Sequence, residues 1–165
     1  MKAFPLKLTA LTPSHDYASF SCGSPPLDRY IKEQATQDIR RRITSCFVAV
    51  DANNLVAGYY TLASASVPLA EFPPEVVKKL PRYPSVPAVR LGRLAVDQSF
   101  KGQGLGKALL ANATLRAAVA EIASFALIVD AKNESAIAFY RHHNFIALPG
   151  TPSILFLPLA KFTFK

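Results

Sequence analysis

The chain has no tryptophan, one methionine, two cysteines and three histidines in 165 residues, and its 11 acidic residues are outnumbered by 19 Lys and Arg. Each shortage excludes something. Cys22 and Cys46, without a C-x-x-C motif, build neither a disulfide scaffold nor a zinc ribbon, and reduced thiols are expected. His15, His142 and His143 form no H-E-x-x-H and no ligand spacing with the cysteines, so no metal site is expected. No run of about 18 apolar residues is free of charge, so no membrane span is expected. The richest stretch, 108–129, carries Arg116 and Glu121. Pro5 and Lys7 break the first apolar run, so no signal peptide is expected and the protein is placed in the cytoplasm. What the chain does have is a hydrophobic half, which excludes a disordered polypeptide. Its length suits a single domain over 1–165 that buries about two-thirds of the unfolded surface. The formal charge of +8 points to a polyanionic partner: RNA, DNA, a phosphorylated cofactor or an acidic protein.

Proline is plentiful but clustered. Pro68, Pro73, Pro74, Pro81, Pro84 and Pro87 mark an insertion between two strand-like runs. Before it, the sequence predicts a strand over 4–9, a helix opened by Ser24-Pro25-Pro26, and strands over 46–50 and 55–64 joined by a turn at 51–54. In that helix Leu27, Ile31, Ala35 and Ile39 recur every four residues beside Tyr30 and form one apolar stripe. The other faces carry Arg29, Lys32 and the run Arg40-Arg41-Arg42. After the insertion a strand is predicted over 89–96, a helix over 104–123, a buried strand over 125–130, a helix from Asn133 through Arg141, and strands over 143–148 and 154–159. In the long helix Lys107, Thr114 and Glu121 lie seven apart and predict a narrow wet stripe. The alternation predicts a mixed α/β fold with a partly parallel sheet.

The sharpest local signal is Lys101-Gly102-Gln103-Gly104-Leu105-Gly106-Lys107, between a strand and a helix. Glycines let backbone approach a ligand closely and turn its N–H groups inward. The helix N-terminus adds partial positive charge and the lysines add full charges, which together suit a pyrophosphate. A P-loop is excluded, because Gly102 and Gly106 enclose only three residues and Ala108 follows Lys107. The dinucleotide pattern fails as well, since the glycines run G-x-G-x-G. A tight turn with no ligand is the structural alternative on the loop alone.

With its surroundings the loop resembles the cofactor motif R/Q-x-x-G-x-G/A of the GNAT superfamily of acetyl-CoA-dependent N-acetyltransferases. Lys101 stands where Arg or Gln is usual and keeps the charge. Asn133-Glu134-Ser135-Ala136-Ile137-Ala138-Phe139-Tyr140 is similar to that family's N-x-x-A-x-x-F-Y helix. Asn144-Phe145 replaces the Gly-Phe pair that usually follows, and Asn tolerates the left-handed helix end. Phe20-Ser21-Cys22-Gly23, Leu27-Asp28-Arg29-Tyr30, Gly58-Tyr59-Tyr60-Thr61-Leu62, Leu80-Pro81-Arg82-Tyr83-Pro84 and Leu91-Gly92-Arg93-Leu94-Ala95-Val96-Asp97 resemble the GNAT toxins of bacterial toxin–antitoxin modules. The resemblance implies a GNAT fold with a central mixed, partly parallel twisted sheet of about six to seven strands flanked by about four helices. It implies acetyl-CoA as co-substrate, no metal, acetylation of the α-amine of aminoacyl-tRNA, and a block of translation. It also implies a ribbon-helix-helix antitoxin and a homodimer. It assigns the cofactor to Leu94, Ala95 and Val96, to the whole run Lys101, Gly102, Gln103, Gly104, Leu105, Gly106 and Lys107, and to Asn133, Ala136 and Phe139.

Acetyl transfer to an amine needs a neutral amine, a polarised thioester oxygen and a proton for the departing thiolate. By the resemblance, backbone N–H groups near Ala95 and Val96 meet the thioester carbonyl, and Tyr140 is the general acid. A phenol of pKa about 10 is protonated at pH 7 and can donate to a thiolate of about 8.5. By helical position alone, Tyr140 is instead an aromatic packed on the sheet. Tyr59, Tyr60 and Tyr83 are competing tyrosines. No carboxylate stands out as a base: Asp97 follows the cofactor strand, and Glu71 and Glu75 lie in the insertion. An α-amine titrates near about 8 and a lysine near about 10.4, so the missing base favours an α-amine acceptor. Arg29, Lys32, Arg40, Arg41, Arg42, Lys78, Lys79, Arg90 and Arg93 are the expected tRNA contacts; solvated faces are the bland alternative. Arg93 sits in an otherwise apolar strand and needs a substrate phosphate or an internal acid. Two other functions are open: a GNAT acting on a protein N-terminus, a ribosomal protein or a small amine, and a non-catalytic nucleic-acid-binding module.

Overall fold

Turn residues and apolar runs set most boundaries. The computed structural model describes residues 6–162. Its elements are β1 (Lys7–Ala10), α1 (Pro25–Arg29), a π-helical turn (Tyr30–Gln34), α2 (Ala35–Arg40), β2 (Ser45–Val50), β3 (Val56–Pro68), α3 (Pro74–Val77), β4 (Ser85–Val96), α4 (Leu105–Val119), β5 (Ala126–Asp130), α5 (Glu134–His142), β6 (Ile146–Leu148) and β7 (Thr151–Pro158). Strands are hydrogen-bonded in the order β1-β2-β3-β4-β5-β7-β6. β4 and β5 pair in parallel, whereas β1–β2, β2–β3, β5–β7 and β6–β7 pair antiparallel. This is the mixed, partly parallel sheet that was expected. Of the strand predicted over 4–9, residues 4 and 5 lie outside the described residues. Among the described residues, no helix is long and apolar enough to cross a membrane.

By its contacts the chain divides into two compact units. The first takes the chain up to Ala63 together with Gly92–Ala113. Its β2–β3 turn is fixed by Asp51 Oδ1, which accepts from the N–H groups of Asn53 and Leu55 at 2.9 Å each. The predicted apolar stripe is buried: Tyr30, Ile31 and Ala35 join Phe20, Val48, Val56, Tyr59 and Ala95 in one core, with Leu27 and Ile39 packed against it. The helix itself is not uniform. Ala35 N–H reaches the Tyr30 carbonyl, five residues back. A four-residue repeat drifts by about 40° per step on a helix of 3.6 residues per turn, and the wider turn takes up part of that drift. Gly58 of β3 matters for the site. A Cβ there would lie 3.0 Å from the Ala95 carbonyl oxygen, 3.0 Å from Leu109 and 3.3 Å from Leu105, so its absence seats the first turns of α4.

The second unit takes Ser64–Leu91 and the chain from Thr114 onward. β4 and β5 pair from Ala88–Ala126 to Leu91–Val129. The core holds Val67, Leu69, Phe72, Val86, Ala126, Ile128, Leu148 and Phe156. Phe72 packs edge-on against Phe125 at 5.6 Å and Phe156 at 5.0 Å, which anchors the proline insertion. The wet stripe predicted on α4 is corrected here. Thr114 is buried, whereas Leu115, Val119 and Ile122 are exposed. Glu121 lies past the helix end and Lys107 lies in its first turn. Lys107 is exposed as expected and Thr114 is not; a helix so apolar all round gives too little contrast to locate its wet face.

Candidate active site

In the first unit the glycine loop hangs from a set of fixed turns. Asp97 follows β4, and its Oδ1 accepts from Ser99 N–H at 2.9 Å and Ser99 Oγ at 2.7 Å. Its Oδ2 accepts from Ser21 N–H at 2.9 Å. Burial pushes this carboxyl up, but the bonds from Ser99 and Ser21, with Lys101 nearby, outweigh it and hold the group below the usual carboxylate range. Asp97 is therefore engaged as a cap. Lys101 is engaged too: its Nζ donates to the Cys22 carbonyl at 2.6 Å. The sequence placed that ammonium in the phosphate cradle; the structure places it on the neighbouring 21–24 turn.

Beyond Lys101 the loop opens. Gly102 takes φ +78° and Gly104 φ +81°, in the region that favours glycine. Nothing lies within 4 Å of a Cβ built on either. Ala108 N–H donates to the Gly104 carbonyl at 3.0 Å and starts α4. The N–H groups of Leu105, Gly106 and Lys107 thus precede the intrahelical ladder and need outside partners. The helix that follows is 15 residues long and adds its dipole at this end. Open space, orphan N–H donors and the exposed Lys107 fit the diphosphate of an acyl-CoA. On β4, Ala95 is buried and Leu94 and Val96 are half-buried. The β4–β5 ladder ends at Leu91–Val129, and 92–96 extend past it.

Arg93 has an internal partner. Its guanidinium carbon lies 3.5 Å from the centroid of the Tyr30 ring. The Tyr30 hydroxyl donates to Asp38 Oδ2 at 2.8 Å, and Gln34 Nε2 donates to Oδ1 at 2.9 Å. The Gln34 bond does most to hold Asp38 low; burial opposes it, and Tyr30 and Arg93 assist it. Burial, reinforced by the bond to Asp38, pushes the Tyr30 phenol well above its ordinary value. The Tyr30–Asp38–Arg93 group was missed by the sequence reading as a unit. Its one signal was a lone Arg in an apolar strand. The other cations of this unit, Arg29, Lys32, Arg40, Arg41 and Arg42, are exposed.

In the second unit, Lys78, Lys79 and Arg90 are exposed. Asn133 Oδ1 accepts from Ala136 N–H at 2.9 Å and caps α5. Tyr140 is half-buried, 5.2 Å from Phe139 and 5.2 Å from Phe145 between ring centroids. Burial pushes its pKa up to about 12. Its hydroxyl makes no hydrogen bond among the described residues. Asn144 takes φ +75°, the left-handed helix end expected of it. Back in the first unit, two competing tyrosines are engaged: Tyr59 donates to the Leu27 carbonyl at 2.6 Å and Tyr60 to Asn112 Oδ1 at 2.5 Å, and both are fully buried. Cys22 and Cys46 are free and buried.

Residues 42–147, which span parts of both units, match the family model described as acetyltransferase (GNAT) domain. The chain belongs to the GNAT acetyltransferase family. A protein of Mycobacterium tuberculosis (strain ATCC 25618 / H37Rv) named tRNA-acetylating toxin is 38% identical to this acetyltransferase over 149 residues, 89% of this chain and 88% of that one. The solved structure of AtaT complexed with acetyl-methionyl-tRNAfMet is 32% identical, covers 95% of this chain and 96% of its own, and superposes with a TM-score of 0.87. A tyrosine-to-phenylalanine mutant of the AtaT toxin, bound to the C-terminus of the antitoxin AtaR and acetyl-CoA, is 29% identical over 94% of each chain, with a TM-score of 0.77.

Proposed function

We propose that this GNAT enzyme is a toxin that transfers the acetyl group of acetyl-CoA to the α-amine of aminoacyl-tRNA and so blocks translation. The observation that carries the reading is the open glycine cradle at the start of α4, in a chain 38% identical to a tRNA-acetylating toxin. Acetyl-CoA supplies the activated acyl thioester. The loop 102–107 binds its diphosphate through backbone N–H groups, and Lys107 adds charge. Tyr140 is the general acid: its hydroxyl makes no hydrogen bond among the described residues, and burial, which pushes its pKa up to about 12, keeps it protonated at neutral pH while making it a weaker donor than a free phenol. The carboxylate nearest in sequence to the cofactor strand, Asp97, is engaged by Ser21 and Ser99. That supports an acceptor with an intrinsically low pKa, as the α-amine of an aminoacyl ester has. The exposed cations Arg29, Lys32, Arg40, Arg41, Arg42, Lys78, Lys79 and Arg90 hold the tRNA backbone. The enzyme works in the cytoplasm as a homodimer and one catalytic domain, restrained by a ribbon-helix-helix antitoxin. Labelled acetyl-CoA incubated with the enzyme and total charged tRNA tests this directly. Label on aminoacyl-tRNA, and not on peptides or polyamines, is the expected result. Label on peptides or polyamines alone overturns it.

A further inference from the structure

Tyr83 is the most exposed aromatic side chain among the described residues, at 68% of its full accessible surface. Its exposure is imposed by a braced loop. Pro81 and Pro84 restrict the backbone on either side. Leu80 N–H donates to the Val77 carbonyl at 3.1 Å, and Leu69 N–H to the Pro84 carbonyl at 3.0 Å. Phe72 roots the insertion in the core. A large ring held out in water by a fixed backbone is a contact surface in want of a flat partner. Its surroundings select the charge of that partner. Lys78, Lys79 and Arg82 are all exposed within five residues of it, and no acidic residue occurs anywhere between Glu75 and Asp97. A flat π-face joined to phosphates is what an unpaired nucleotide offers, and a paired stem does not, because its base faces are covered. We infer that Tyr83 stacks on an unpaired nucleobase of the aminoacylated 3′ end, with Lys78, Lys79 and Arg82 on the flanking phosphates.

This inference rests on the tRNA reading above, and its test is separable from that reading. The probe is a short unpaired RNA ending in C-C-A, with 2-aminopurine in place of the last adenosine, whose fluorescence stacking quenches. The parent enzyme is expected to bind and quench it, and Tyr83→Phe and Tyr83→Trp are expected to do the same. Tyr83→Ala is expected to lose the quench and to bind about 10-fold or more weakly, within the range that removal of one stacking ring produces. In acetylation of charged tRNA the same variant should raise KM by a similar factor and leave kcat and the KM for acetyl-CoA unchanged. Quenching by a parent that acetylates no charged tRNA supports the stacking site and overturns the acetylation reading. Tyr83→Ala binding and quenching as the parent does overturns the site. So does a Tyr83→Ala variant that keeps its RNA and loses only an antitoxin, which makes the loop a protein contact.

Discussion

Arg93 and Lys101 carry the same charge as Lys78, Lys79 and Arg82, in opposite settings. Arg93 lies on the Tyr30 ring and Lys101 is bonded to the Cys22 carbonyl, both within the first unit. The three cations of the insertion stand in solvent. The same contrast separates other polar groups. Asp97, Tyr30, Tyr59 and Tyr60 are bonded inside the protein, whereas the N–H groups of the glycine cradle and the Tyr140 hydroxyl have no such bond among the described residues. Groups with internal partners hold the first unit together, and groups left open are available to a ligand, as the proposed function requires. Net charge alone does not make that division, because an engaged arginine counts the same as a free one.

Substitutions on the open side are expected to break function and spare the fold. Gly104→Glu has the largest expected effect. It puts a carboxylate into the cradle proposed to hold the diphosphate and a side chain at φ +81°, where non-glycine backbone costs about 1–2 kcal/mol. Calorimetry on the folded variant should find no acetyl-CoA binding; unchanged affinity would move the cofactor elsewhere. Tyr140→Phe follows. The ring and its contacts with Phe139 and Phe145 stay, so acetyl-CoA affinity should hold while single-turnover acetylation falls by about 10²–10⁴-fold, the usual range for a general acid. Because burial pushes the phenol's pKa up to about 12, the parent rate should show no descending limb from Tyr140 below about pH 11. Rate retained by Tyr140→Phe would remove the assignment.

Smaller effects sharpen the contrast. Arg40, Arg41 and Arg42 changed together to Ala should weaken tRNA binding by about 10-fold and flatten its dependence on salt, with unfolding by urea unchanged. Arg93→Ala should do the reverse, lowering stability by about 1–2 kcal/mol through loss of a partly desolvated cation–π contact. A shift in tRNA KM without a shift in stability would place Arg93 among the open cations. The smallest effect is alkaline. Burial pushes the Cys46 thiol from 9.0 up to about 12, against the pull of Arg93. The folded state then keeps a proton that the unfolded chain loses, so stability holds below pH 9 and falls between pH 9 and 12. The urea midpoint of Cys46→Ala should fall less over that window.

The glycine spacing, the N-x-x-A-x-x-F-Y helix and the lone strand arginine were legible because each is a short pattern whose meaning is local. The apolar stripe of Leu27, Ile31, Ala35 and Ile39 was legible for the same reason. The π-turn inside that helix was not, since it answers to the core that Tyr30 and Ile31 must reach. Nor was the wet face of α4, where nearly uniform apolar residues erase the contrast on which periodicity depends.

The sequence by itself determined the family, the alternation of strands and helices, the cradle's glycines and the excess of positive charge. These are properties of residues and their nearest neighbours along the chain. Only the tertiary structure decided which charges are available. Lys101 meets a carbonyl 79 residues away, and Arg93 meets a ring 63 residues away. It also decided that Tyr59 and Tyr60 are buried and bonded while Tyr83 stands in water. Hydrogen bonds and ring contacts act over a few ångströms of space regardless of sequence separation, so the engagement of each polar group is set by packing.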